Sequence, residues 1–198
     1  RNAGWLTAAS ALARVNGGSG PDLIYLCEKA FNYDKFIEDI KGKLAVKSGL
    51  IVAVSEGIKD GTGAYVSDSM SSGAVDNFGH KYIAGSARAL EQLVREKIGC
   101  KVRAVELNLM QRAAAHIASE TDITESVMLG LKAFNCVVNK ETGKMAAIKR
   151  ISDDPYQVEF ISVPVSEVAN HEKTVPLNWI TPDGNDVTEE MMAYLRPL

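Results

Sequence analysis

Two uninterrupted apolar runs constrain this chain more than any other feature: Leu23-Ile24-Tyr25-Leu26 and Leu50-Ile51-Val52-Ala53-Val54. A strand with one wet face alternates apolar and polar side chains; a strand buried on both faces does not. Between the runs, Ile37, Ile40 and Leu44 recur at helical spacing, and further on Leu90, Leu93 and Val94 form a stripe with Glu91 turned outward. The order predicts helices over residues 4–15, 33–46, 83–98, 122–138 and 189–195. Strands are predicted over 22–27, 50–55, 101–107, 145–151 and 157–163. Alternation of this kind gives an α/β fold, a three-layer, doubly wound and mostly parallel sheet. Residues 1–163 read as one α/β domain and 164–198 as a C-terminal loop with a short helix, because Pro176 and Pro182 sit in a polar stretch.

Boundary chemistry agrees with this plan. Asn16-Gly17-Gly18-Ser19-Gly20-Pro21 closes the first helix, and Asp122, three residues before Glu125, reads as an N-cap with its capping partner. The connection after Ser55-Glu56-Gly57 is long and rich in Gly, Asp, Ser and Thr. Connections of that length at the carboxyl edge of an open α/β sheet are usually functional.

Charge and cysteine content narrow the partners. With 22 basic and 25 acidic residues in 198, the net charge is −3. There is neither a basic footprint for nucleic acid nor a polybasic stretch for a membrane surface. Cys27, Cys100 and Cys136 lie far apart in apolar surroundings with no Cys-x-x-Cys spacing, which reads as reduced thiols in a cytoplasmic protein. His80, His116 and His171 share no ligand spacing, so no metal site is predicted. No Walker loop, no Gly-x-Gly-x-x-Gly after a strand and no Gly-x-Ser-x-Gly is present. The chain opens at Arg1 without a methionine and already inside a helical pattern, which reads as a truncated product.

Three places can carry chemistry. Arg1, at the start of the first helix, is either an ordinary terminal arginine or a bidentate fork for an anion. Glu56 follows a buried strand, where a carboxylate either stays solvated or accepts hydrogen bonds from sugar hydroxyls. Arg103 and Arg112 flank the end of the 101–107 run. They are either surface arginines or a pair suited to a phosphate monoester, with His116 four residues beyond Arg112.

Taken together these segments resemble the phosphofructokinase family, and more closely the C-terminal part of its pyrophosphate-dependent type. Arg1-Asn2-Ala3-Gly4-Trp5-Leu6-Thr7-Ala8-Ala9 is similar to the family's Met-Gly-Arg motif and the helix after it. Ile51-Val52-Ala53-Val54-Ser55-Glu56-Gly57 is similar to the strand ending in the sugar-binding glutamate. Cys100-Lys101-Val102-Arg103-Ala104-Val105-Glu106-Leu107 with Gln111-Arg112 resembles the strand and Gln-Arg signature, and Asn77-Phe78-Gly79-His80 adds to the likeness. The resemblance implies phosphoryl transfer to the 1-hydroxyl of fructose 6-phosphate, from pyrophosphate or ATP. Arg1 would contact the transferring group, Glu56 the sugar hydroxyls, and Arg112 the 6-phosphate. Arg103 would reach a neighbouring subunit's sugar phosphate, so a homo-oligomer is implied. The family's catalytic aspartate, donor loop and Mg2+ ligands precede its Met-Gly-Arg motif. They are therefore expected outside this chain, which alone is expected to be inactive. Two departures are visible: Leu109 stands where many members have histidine, and Ala113-Ala114-Ala115-His116 replaces a glycine pair.

Overall fold

The computed structural model describes residues 2–70 and 85–197. Arg1, the Asn77-Phe78-Gly79-His80 segment and the first residues of the helix predicted over 83–98 lie outside the described residues. The chain divides into two compact units, Arg1–Glu106 with Lys173–Met192, and Leu107–Glu172 with Ala193–Leu198.

The first unit is built on the two apolar runs. Strands β1 (Leu23–Tyr25) and β2 (Val52–Val54) pair in parallel, with Ile24 opposite Ala53. All three β1 residues are buried, Ile24 completely. Each such aliphatic side chain contributes about 1.5–3 kcal/mol by leaving water. On the side away from β2, the Ile24 amide donates to the Asn185 carbonyl at 2.8 Å, so the returning segment closes the other edge of β1. Helix α1 (Trp5–Ala9) is shorter than its periodicity predicts and tightens into a 3-10 stretch, Ser10–Gly17. The Ser10 hydroxyl donates back to the Thr7 carbonyl at 2.5 Å, a local bond that competes with the α-helical ladder.

Helix α2 (Tyr33–Leu44) is capped by Asn32, whose side chain accepts from the Lys35 amide, and it buries Phe36, Ile37 and Ile40. Phe36 joins Tyr25 and Phe31 in a cluster with ring centroids 5.2–5.4 Å apart, spacings typical of attractive edge and tilted pairs. Helix α3 (Ser86–Ile98) covers the same core with Leu90 and Val94, and ends at Gly99 in the left-handed region that glycine favours. The long connection after Glu56 is folded in its first part. Ile58 and Val66 are buried, and the Asp60 carboxylate holds a tight turn by accepting from Thr62 and Ala64.

The strand predicted over 101–107 is not one. Residues 101–106 run without ladder partners among the described residues, touching α3 through an Ala104 amide that donates to Glu91 at 3.4 Å. Alternating character makes a segment fit for a sheet, but a strand also needs a neighbour.

The second unit holds α4 (Asn108–Arg112), α5 (Glu120–Val138), and strands β3 (Lys144–Asp153) and β4 (Tyr156–Pro164), followed by the short α6 (Val165–Val168). The predicted strands over 145–151 and 157–163 pair with each other as an antiparallel hairpin and do not extend the parallel pair. The N-cap of α5 is Ser119, whose hydroxyl accepts from the Asp122 amide at 3.3 Å; Asp122, predicted as the cap, sits in the first turn, where its charge suits the helix dipole. The Arg150 guanidinium lies over the rings of Tyr156 and Tyr194, at 5.1 and 4.6 Å, and donates to the Tyr194 carbonyl. Tyr194 belongs to α7 (Glu189–Leu195), so this stack ties the end of α7 to the hairpin.

Helix α5 carries two opposed faces. Leu129 and the buried Cys136 turn toward the hairpin. Ile123, Val127, Leu131, Phe134 and Val138 fall within about 80° of arc at 3.6 residues per turn, and each remains 51–63% exposed. An apolar stripe this long marks an interaction surface.

Candidate functional site

Parallel pairing puts the carboxyl ends of β1 and β2 on one edge, and both runs finish the same way. Leu26-Cys27-Glu28 follows β1 and Ser55-Glu56 follows β2. Three bonds fix the β2 end. The Ser55 amide donates to the Tyr25 carbonyl at 2.9 Å, and the buried Ser55 hydroxyl donates to Thr7 Oγ1 at 3.0 Å. The Glu56 carbonyl accepts from the Ser86 hydroxyl at 2.8 Å, at the first turn of α3. The Glu56 backbone is thereby held by α3 and its neighbour by α1, while its carboxylate is exposed. A carboxylate in that setting is free to accept hydrogen bonds from a polyol.

The start of α1 is anchored at the same edge by a residue that sequence reasoning passed over. One oxygen of Glu28 accepts from the Gly4 amide at 2.8 Å and from the Val175 amide at 2.8 Å. Its other oxygen accepts from the Cys27 thiol at 3.5 Å. Burial, then the Glu28 charge and hydrogen bond, push the Cys27 thiol up to about 11, so it stays protonated and unreactive at neutral pH. A signal for Glu28 was available, since it follows β1 as Glu56 follows β2.

The arginines are distributed differently. Arg103 is exposed on the 101–106 segment of the first unit, beside a shallow groove of about 560 Å³ lined by Arg88, Glu91, Gln92, Arg95, Glu96 and Ala104. Arg95 pairs with Glu91 at 2.6 Å, and the lining as a whole balances its charges, so the groove itself is no anion pocket. Arg112 ends α4 in the second unit and is exposed, as are Leu109 and His116 nearby. Structure thus joins the α1 start to the Glu56 strand end. Arg112 belongs to the other unit, and Arg1 lies outside the described residues.

The sequence matches the family model described as phosphofructokinase over residues 1–137. A pyrophosphate–fructose 6-phosphate 1-phosphotransferase of Halomonas elongata is 35% identical over 198 residues, covering 100% of this chain and 46% of that protein. The protein of the same name from Methylococcus capsulatus is 36% identical over 198 residues, again 100% of this chain and 46% of its own length. The crystal structure of a pyrophosphate-dependent phosphofructokinase from Nitrosospira multiformis is similar with a TM-score of 0.80 at 33% identity, covering 100% of this chain and 45% of that one. The chain therefore spans a little under half the length of these relatives.

Proposed function

This chain belongs to the phosphofructokinase family, and from that premise we propose that it forms the acceptor-sugar part of a pyrophosphate-dependent 6-phosphofructokinase. The reaction is phosphoryl transfer to the 1-hydroxyl of fructose 6-phosphate, giving fructose 1,6-bisphosphate. The observation that carries the reading is the edge where α1 is bonded through Thr7 and Ser55 to the strand end that presents Glu56. The likeness to pyrophosphate enzymes along the whole chain supports the choice of donor. In this reading Glu56 accepts hydrogen bonds from the sugar hydroxyls and Arg112 holds the 6-phosphate by a paired guanidinium contact. Arg103 extends to the sugar phosphate of a neighbouring subunit in a homo-oligomer. Arg1 stabilises charge on the phosphoryl group in flight.

The donor site and base belong, in this proposal, to the polypeptide by which the relatives exceed this chain, and the outward stripe of α5 is the surface we assign to that polypeptide. Mg2+, when bound, would neutralise donor oxygens. Among the described residues no group of three or more His, Cys, Asp or Glu side chains is placed to hold a metal ion, and no step here runs through one. Among the described residues no helix is long and apolar enough to cross a membrane, and we place the reaction in the cytoplasm.

The test is a turnover assay on the full-length protein with fructose 6-phosphate and either pyrophosphate or ATP, scoring fructose 1,6-bisphosphate. Turnover with pyrophosphate and little with ATP is expected. Turnover with ATP alone would replace the donor, and none with either would remove the enzyme reading. For the phosphate contact, Arg112→Ala should weaken fructose 6-phosphate binding by about 10- to 150-fold, the value of one lost charge-assisted contact at about 1.5–3 kcal/mol. Calorimetric titration showing unchanged affinity would take Arg112 out of the sugar-phosphate site.

A further inference from the structure

Among the described residues, the buried polar side chains are three serines, Ser55, Ser67 and Ser86. Two of them flank one exposed residue, Glu56. A buried hydroxyl without a partner costs free energy, so the bonds it makes show what its burial serves. The Ser86 hydroxyl, in the first turn of α3, donates to the Glu56 carbonyl at 2.8 Å. The Ser55 hydroxyl donates to Thr7 Oγ1 in α1 at 3.0 Å. Glu56 itself stands on a turn, Ser55-Glu56-Gly57-Ile58, which the Ile58 amide closes by donating to the Ser55 carbonyl at 3.4 Å. Both ends of this turn are fixed. The Ser55 amide donates to the Tyr25 carbonyl of β1 at 2.9 Å, and Ile58 is completely buried. Three elements, α1, β1 and α3, thus grip four consecutive residues of the first unit, and of the four only Glu56 is exposed. A solvated loop glutamate needs no such support. A binding carboxylate gains from it, because an acceptor held in place before its ligand arrives loses less freedom on binding.

We infer that Ser55 and Ser86 are positioning residues for the sugar site, fixing the turn that presents the Glu56 carboxylate to a polyol. The inference rests on the role proposed for Glu56. Neither serine is assigned a contact with substrate. Their effect falls on sugar affinity and not on the rate constant, since the contact they support is made equally before and during transfer.

The experiment is a double-mutant cycle in the full-length protein, numbered as here, with kcat and the fructose 6-phosphate KM measured separately. Glu56→Ala is expected to raise KM about 10- to 150-fold, the loss of one charge-assisted contact. Ser86→Ala and Ser55→Ala should each raise KM about 3- to 10-fold, with kcat within about twofold of wild type. In a Glu56→Ala background, Ser86→Ala should add less than about 1.5-fold, because the turn has no carboxylate left to present. Should Ser55→Ala not fold, Thr7→Val, which keeps the side-chain shape and removes the partner oxygen, reads the same split. A wild-type KM in either serine variant, beside a raised one in Glu56→Ala, would overturn the inference alone. So would an undiminished effect of Ser86→Ala in the Glu56→Ala background, or a loss confined to kcat. A wild-type KM in Glu56→Ala would remove the reading of Glu56 and the inference with it.

Discussion

Replacing Arg1 with alanine in the full-length protein is expected to lower kcat about 100- to 1,000-fold and leave the fructose 6-phosphate KM within about threefold. The asymmetry follows from where charge changes. Fructose 6-phosphate carries its own phosphate at C6, assigned here to Arg112, and its hydroxyls are assigned to Glu56; neither group changes charge during transfer. The phosphoryl group in flight spreads negative charge over its equatorial oxygens, and a fixed guanidinium beside them interacts more strongly in the transition state than before it. Only that difference accelerates the reaction. Arg1→Lys retains charge but loses the planar fork, and should fall between wild type and Arg1→Ala. Steady-state kinetics with pyrophosphate as donor decide the point. A kcat within threefold of wild type, or a loss confined to KM, would place Arg1 outside the chemistry.

What the sequence made legible depended on whether local pattern and tertiary neighbour agreed. The runs 23–26 and 50–54 both form strands that the structure pairs in parallel, but burial on both faces holds for β1 alone; β2 is half-buried and Ile51 is 53% exposed. Helix α2 was readable to within two residues at its end, since its stripe of Ile37, Ile40 and Leu44 is a local signal. The 101–107 segment shows the limit. Its apolar residues suit a strand, yet ladder formation depends on a partner that the segment's own sequence does not encode. The hairpin shows a different limit: each strand is legible in its own residues, while their antiparallel direction follows from the Asp153-Asp154-Pro155-Tyr156 turn, too short for a parallel crossover. For the site, Glu56 was legible because it follows an apolar run that reads as a strand. Glu28 also follows an apolar run, but its partners are amides 24 and 147 residues away, invisible to any local reading.

Phe134→Asp should destabilise the full-length protein by about 3–5 kcal/mol, whereas Ala133→Asp, one residue earlier on the same helix, should shift stability by less than about 1 kcal/mol. The contrast comes from the two faces of α5. Cys136 and its neighbours on the inward face pack on the hairpin and would be buried in any context. Phe134 lies on the other face in the middle of the stripe formed with Ile123, Val127, Leu131 and Val138. A surface helix in water has no physical reason to align five large apolar side chains within one arc. If that arc is covered by the further polypeptide that the relatives possess, a carboxylate at position 134 removes a buried ring and leaves an unpaired charge in its place. Ala133, about 100° away from Phe134 around the helix, is exposed and outside the stripe. Thermal or urea unfolding of the two variants beside wild type separates the cases. Equal stabilities would mean that the α5 stripe is bare in the full-length protein, and the surface assignment would fall. A large loss for Phe134→Asp alone would place part of the remaining polypeptide on the α5 stripe of the second unit.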